Sequence, residues 1–491
     1  MPRPARRGPR RGISAPPRRR SPHSTSVPLR SPIAGLALLD VADPVEPTLR
    51  CDLLIARATA ARLTGAETID DARLAFTEAV ELGDQERIGR ALLSVSLRST
   101  AASHIEHLDF LSQGLKLLDD TTLITRWNTE VALIVREFMN AETDPRSHRD
   151  RVRVVVDHLD PADTVACQIA MRCARSLTST NQPHDALPIT ERFNANCDGV
   201  DTEGFPVEIA LSTMWLHLGD RDASDRYLAA AADDPRRSYW FFDCQVLQRQ
   251  VMRDMLDGDW AAAAEGIAEE QRIGGHDENI ALSALAQTSW LRSETGDLDT
   301  NYVEVRDYAA ALPDFAILRA LLVREAAESG RHDEARVRLD ELAPDDFAGV
   351  GRGWLTLMGI GNLAWAAVTV GAAQHAATLQ DLLTDYKGQI AVMATGTHVL
   401  CAVDRLRAGL AALDGHHADA DQLFADALAQ DRALRSRPLE ARTLHWWGRA
   451  LHQRGDSHLA AELLVRARTM ADELTMRALV QQIDHLTLTF A

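Results

Sequence analysis

Lysine is almost missing from this chain of 491 residues: of 53 basic side chains, only Lys116 and Lys387 are lysine. A phosphate-binding loop needs a lysine close behind its glycines to reach the β- and γ-phosphates. Neither Gly114-Leu115-Lys116 nor Lys387 is so placed, and nucleotide hydrolysis is not expected. Also missing are a Gly-x-Ser-x-Gly elbow, a His-Glu-x-x-His pair and a Gly-x-Gly-x-x-Gly turn opening a helix. The local signatures of serine hydrolases, zinc peptidases and dinucleotide enzymes are therefore absent. A catalytic triad assembles from distant residues and leaves no such signature, but nothing points to one. No run approaches the ~20 apolar residues of a membrane span. Six cysteines (Cys51, Cys167, Cys173, Cys197, Cys244, Cys401) are scattered without a Cys-x-x-Cys, and read as buried, reduced side chains. β-branched runs such as Val152 to Val156 are short and rare. No cofactor and no resident metal are expected, and the compartment expected is the cytoplasm.

Charge is unevenly placed. The first 30 residues hold nine arginines, seven prolines and no acidic group. Without them the body has 44 basic against 71 acidic side chains, a charge of −27. Such a body repels a phosphate backbone and is a poor nucleic-acid binder. Residues 1–45 are expected to be a disordered Arg/Pro-rich tail, because such a composition buries too little to fold. The apolar stretch Ile33 to Leu39 is at the bottom of the length range for an export signal, ends at Asp40 and is followed by no small-residue cleavage motif.

What is present is a recurring glycine. Gly219, Gly258, Gly296, Gly330, Gly371, Gly415 and Gly455 are separated by 39, 38, 34, 41, 44 and 40 residues. Five residues after each comes Ser224, Ala263, Asn301, Ala335, Ala376, Ala420 or Ala460. Periods of this size mark helical repeat arrays. In the last unit, Leu444-x2-Trp447-Gly448-x2-Leu451 forms one apolar stripe, Gly455 ends the helix, and Asp456 stands where it can cap the next. Gly448 and Ala460 are small where two antiparallel helices cross, and Leu464 fills the space beside them. The previous unit repeats Ala420-x3-Phe424-x2-Ala427, and Ala72-x3-Phe76-x2-Ala79 follows the break at Gly65. The Gly258 unit puts Asp254 where a large apolar residue is expected. The fold class expected is all-α, a right-handed superhelix of antiparallel, tetratricopeptide-like helix pairs. Breaks at 197–206 and near Pro344-Asp345-Asp346 with Gly349, Gly351 and Gly353 organise it. The tail 1–45 is followed by a degenerate block, 46–345, and a clearer one, 350–491, in one array.

Two clusters have a bland and a sharp reading. Asp414-Gly-His416-His417-Ala-Asp419-Ala-Asp421 resembles a metal set, but falls on an inter-helix turn like Arg454-Gly-Asp456-Ser-His458, where His and Asp serve as turn and cap residues. Tyr239-Trp-Phe-Phe242 and Trp446-Trp447 are either stacking platforms or core. In the repeat register, Trp290, Arg324, Trp365, Arg405, His445 and Arg449 fall on the first-helix face that lines the inside of a superhelix. They are the candidate partner-binding groove, for a protein, a peptide or a small-molecule inducer; the alternative is an ordinary solvated face.

The run Cys401-Ala-Val-Asp404, Leu410-Ala-Ala-Leu413-Asp-Gly415, Ala420-x3-Phe424-x2-Ala427, Arg437-Pro438-x2-Ala441-Arg442-Thr443 and Ala460-x2-Leu463-Leu464-x2-Ala467 is similar to the helical-repeat arm of actinobacterial LuxR-type regulators and adenylate-cyclase-like proteins built on a signal-transduction ATPase. The resemblance is clearest over about residues 370–480. It implies a non-enzymatic arm that senses an inducer or partner and relays it to an ATPase. No ATPase motif precedes Leu49, and the sequence stops about where a helix-turn-helix would begin, so ATP hydrolysis, cyclase activity and DNA binding are not carried over. The rival expectations are a stand-alone adaptor and an enzyme with a dispersed site in the groove.

Overall fold

The structure is a computed structural model that describes residues 46–64, 69–95, 101–139, 144–202, 205–235, 240–313, 315–350, 353–393 and 396–488. The Arg/Pro-rich tail, Gly65, Tyr239 and Gly351 lie outside the described residues. The chain divides into two compact units, 1–98 and 99–491.

In the first unit, α1 (Pro47–Thr64) and α2 (Ile69–Glu81) pack as a pair with α3 (Gln85–Leu93) beside them. Ala72 and Ala79 are fully buried, as small residues at a helix crossing should be. The Cys51 thiol donates to the Ala75 carbonyl across that crossing. Asp84 caps α3 through the Arg87 amide at 3.0 Å.

The second unit opens with α4 (Ala101–Leu115), α5 (Ile124–Met139), α6 (Pro145–Asp157), α7 (Thr164–Ser179) and α8 (Pro183–Phe193). Helix pairs then follow: α9 (Val207–His217) with α10 (Arg221–Ala232), α11 (Trp240–Asp257) with α12 (Trp260–Gly274), α13 (Glu278–Thr295) with α14 (Leu298–Ala311), and α15 (Ala316–Glu328) with α16 (His332–Leu342). After a kinked turn come α17 (Thr356–Val370) with α18 (Ala376–Leu383), a β-hairpin, α19 (Val403–Leu413) with α20 (His417–Ala433), α21 (Arg437–Gln453) with α22 (Ser457–Glu473), and α23 (Arg477–Thr487). No described helix is long and apolar enough to cross a membrane.

All seven repeat glycines have φ between 70° and 97°, the left-handed geometry that ends a helix at no Cβ cost. The side chain five residues later is buried in every unit. A Cβ on Gly448 would lie 2.8 Å from Leu464 Cγ and 3.3 Å from the Ala460 carbonyl, so this glycine sets how closely α21 and α22 cross. Capping varies along the array. Asp220 and Asp259 accept amide bonds at 2.8 and 3.0 Å, whereas Asp456 holds the cap position with no side-chain cap bond. In the Gly258 unit Met255 and Leu256 fill the core, and Asp254 stays partly buried beside it. At Pro344–Phe347, Asp345, Asp346 and Phe347 take positive φ. Leu339, Phe347 and Leu357 nevertheless share one core, so packing is continuous across this break.

First and second helices differ sharply in burial. Helix α17 buries all but two of its 15 residues, whereas α18 buries only Ala376, Leu379 and Leu383. The same contrast separates α15 from α16 and α19 from α20. First helices are inner and second helices outer. The inner helices close on one another instead of lining an open groove. Gln287 on α13 donates to the Gln248 carbonyl on α11 at 2.9 Å, and Ser293 on α13 to Glu325 on α15 at 3.3 Å. Trp365 on α17 donates to Glu328 on α15 at 2.8 Å, and Arg405 on α19 to the Leu439 carbonyl on α21 at 3.4 Å. Ser436, capping α21, reaches the Leu256 carbonyl at the end of α11 at 2.7 Å, which ties the late inner helices to the earlier ones. Trp260 adds a bond to the Leu474 carbonyl at 2.7 Å, and one apolar core joins Val251, Met255, Leu444 and Leu479 across this seam.

A buried hairpin packs among these helices. Strands β1 (Ile390–Val392) and β2 (Val399–Ala402) pair antiparallel with Ile390 opposite Ala402, and every residue of both is buried. They are the only named strands among the described residues. The hairpin is held by groups far away in sequence. The His217 ring lies 3.2 Å from the Ile390 carbonyl, and Gln287 donates to the Thr397 carbonyl at 2.7 Å. Gly361 on α17 lets Leu400 approach: a Cβ there would lie 2.7 Å from its methyl.

Candidate functional site

The six groove candidates stand on inner helices: Trp290 on α13, Arg324 on α15, Trp365 on α17, Arg405 on α19, and His445 and Arg449 on α21. They do not form an open surface. Trp290, Arg324, Trp365, Arg405 and His445 each keep no more than 7% of their surface exposed, and Arg449 is partly buried. Burial of this kind is not the solvated inner face that an open superhelix presents.

Two of the other five, Arg324 and Arg405, meet Trp365. The Arg405 guanidinium lies 4.9 Å from the Trp365 ring centre and 5.6 Å from that of Trp446; Arg324 lies 5.8 Å from Trp365. Arg442, which the sequence did not single out, is 5.4 Å away. Three cations thus share one indole face and edge, an arrangement favoured by the ring quadrupole in a dry interior. Trp446 meets Trp365 edge-on at 5.1 Å, so this half of the Trp446-Trp447 pair is core. Trp290 lies 5.9 Å from the His398 ring. Arg449 is set apart, donating to the Val368 carbonyl.

Carboxylates balance the arginines. Arg442 donates through Nε to both oxygens of Glu294 at 2.8 and 3.1 Å, through Nη1 to Glu328 at 3.5 Å, and through Nη2 to the Ser293 carbonyl at 3.2 Å. Glu328 also accepts from Gln482 at 3.0 Å. Burial alone would raise its carboxyl, but Arg442, the Trp365 indole and Gln482 outweigh burial and hold it below the usual range. Glu325 takes Arg324 Nε at 3.0 Å, Asn301 at 2.5 Å and two serine hydroxyls, Ser289 and Ser293, at 3.4 and 3.3 Å. Buried ions arranged this way need their partners, since an orphaned one carries the full desolvation cost.

Two histidines behave differently. Burial, then Arg324, pushes His398 down to about 3; burial, then Arg449 and Arg442, does the same to His445. Both are neutral at physiological pH, and neither Nδ1 has a partner. Trp290, Ser293, Glu294, Arg324, Glu328, Trp365, Arg442 and hairpin residues His398, Val399 and Leu400 wall one narrow cavity. Its open room is on the order of one water-sized group.

The remaining sequence candidates fall elsewhere. His416 and His417 sit exposed at the start of α20, while Asp421 accepts from Trp447 Nε1 at 2.8 Å and pairs with Arg454 at 2.7 Å. Trp240 packs against Phe241 and His276, away from the cavity. Sequence reasoning missed Arg442, Glu294, Glu328 and His398. The first three share inner-helix positions with the residues that were chosen; His398 belongs to the hairpin, which no repeat register contains.

Compared with protein-family models and with curated proteins, the chain matches none of either.

Proposed function

We propose that the second unit is a tetratricopeptide-like right-handed superhelix drawn tight enough to close, and that it works as a non-enzymatic sensing and interaction arm of a cytoplasmic LuxR-type or ATPase-based transcriptional regulator. The observation that carries this reading is the convergence of α13, α15, α17 and α21 on one polar cavity. A ligand held there touches four repeats at once, and differential affinity for one arrangement of those repeats shifts its population. The carboxylates argue against catalysis, because Glu294 and Glu328 are both held by Arg442 and neither is poised as an acid or base. Outer helices, with one buried stripe each, leave their other faces to a protein partner.

The test is the intact mass of the endogenous product, isolated with its partners from the native host. A product well above 54.0 kDa that carries an ATPase on the same polypeptide supports the arm. A product of that mass, bridging two proteins in one complex, favours the stand-alone adaptor. Turnover of any co-purifying metabolite, abolished by a single change at the cavity, would replace both with the enzyme reading.

A further inference from the structure

Glu270 on α12 is fully buried, and so is Gln248 on α11, the side chain it meets. Gln248 Nε2 donates to Glu270 Oε1 at 2.6 Å. The other oxygen of each group, Gln248 Oε1 and Glu270 Oε2, is buried with no donor. Each orphan shares a carbon with an atom of the 2.6 Å bond, and buried acceptors left this way are costly. One proton on Oε2 serves both, because a protonated carboxyl sets an O–H donor beside an acceptor and complements a primary amide. No cation balances a charge on Glu270. On α11, Arg249 donates to Thr213 and Gln245, Arg253 pairs with Asp225, and Asp254 lies near Asp257 and Asp259. The Cys244 thiol meets α12 at Gly274, one turn along. On α13, Arg292 pairs with Glu304 and Glu294 with Arg442. On α12 itself Arg272 pairs with Glu269, and Glu265 is exposed. An ionised Glu270 would be a buried charge without a counter-ion. Burial accordingly raises its carboxyl, opposed only by the Gln248 bond.

We propose that Glu270 and Gln248 form a carboxylic acid–amide pair that acts as a pH-sensitive clasp between α11 and α12. Glu270 donates through its Oε2–H to Gln248 Oε1, and Gln248 Nε2 donates back to Glu270 Oε1. When the pH rises through neutrality the proton passes to solvent, and an O–H···O bond becomes a contact between two acceptors. One hydrogen bond remains where there were two, and the carboxylate is drawn toward water, which loosens α12 from α11. The folded carboxyl titrates above its unfolded value, so the clasp's contribution is present at low pH and lost as pH rises through about 7. The clasp also stands close to the hairpin: the Gln248 carbonyl accepts from Gln287, which donates to the Thr397 carbonyl as well. It is independent of what the second unit binds.

The experiment uses the full chain labelled with ¹³C in its glutamate carboxyls, so that infrared spectra separate Glu270 from the aspartates. The expected result is a protonated-carboxyl band at pH 6 that fades in the parent with a midpoint near 7 and that Glu270→Gln removes. Hydrogen exchange reads the clasp itself. Glutamine carries an N–H where the acid carries an O–H, so Glu270→Gln keeps the pair closed at every pH. At pH 8 the amides of α12 should exchange about tenfold or more faster in the parent than in the variant, a gap that narrows at pH 5. A parent with no protonated glutamate band at pH 6 overturns the proposal, and that arm needs no variant to fold. A band that survives in Glu270→Gln overturns it too, by assigning the proton elsewhere. Equal exchange in parent and variant at pH 8 leaves no clasp to release and overturns the switch.

Discussion

Replacing Arg442 by methionine keeps most of the side-chain length and removes the charge at the centre of the second unit. Arg442 is 2% exposed, with Glu294 and Glu328 at 5 and 4% beside it. Glu328 would keep Trp365, Thr369 and Gln482 as donors. Glu294 would keep none, because both of its oxygens face Arg442 alone. Breaking a buried pair by removing one partner costs about 3–5 kcal/mol, and the single orphan makes Glu294 the main source of that cost. The loss should depend on pH. An orphaned, buried Glu294 has a folded pKa above its unfolded value of about 4.3, so the folded variant binds more protons than the unfolded chain. Its stability therefore recovers as pH falls. Urea unfolding followed by tryptophan emission at pH 8 and pH 5 measures both quantities, and Glu294→Gln added to Arg442→Met should return part of the loss at pH 8. A cost below about 1 kcal/mol, or one unchanged between the two pH values, would falsify the dry, paired cluster.

Other predictions are independent of that cluster. Gly455 has φ 93° and open space where a Cβ would go, so Gly455→Val isolates backbone strain and should cost about 1–2 kcal/mol; an unchanged melting temperature removes the assigned role. Gly448→Ala meets Leu464 at 2.8 Å instead, and should cost about 1–3 kcal/mol through overpacking, which a Leu464→Ala partner change should partly relieve. Burial pushes Glu270 up to about 7, above its unfolded value. Its charge therefore opposes folding as pH rises through 7, and Glu270→Gln should stabilise at pH 8 and change little at pH 5 in denaturant melts. His217, His398 and His445 are held neutral by burial, at about 4, 3 and 3. Their depressed folded values mean that stability is full above the unfolded value near 6.5 and falls as pH drops toward those values. A denaturation midpoint that stays flat from pH 7 to pH 4 in the parent, and differs in no variant carrying Phe at these positions, contradicts their burial as neutral rings.

Helix pairs were legible in the sequence because their causes are local. A glycine that must be left-handed, a small residue where helices cross and an apolar stripe at helical spacing are written within some 15 residues of one another, as Gly455, Ala460 and Leu464 show. The choice of Trp290, Arg324, Trp365 and Arg405 as inward-facing residues followed from the same register. Whether the inner face stays open was not local. It depends on Ser436 finding the Leu256 carbonyl 180 residues away, and Arg442 finding Glu294 at 148. The hairpin had a weak local signal: Gly388 and Gly396 at positive φ flank Ile390-Ala-Val392, and Val399 follows. Short apolar strands of this kind are indistinguishable by periodicity from buried helix. Composition and repeat spacing determined that this chain builds antiparallel helix pairs and has no phosphate-loop lysine. Tertiary structure alone decided that early and late pairs pack on one another, that a buried strand pair lies among them, and that arginines, carboxylates and tryptophans from four repeats share one cavity, because such contacts depend on where each helix ends up, which no single segment specifies.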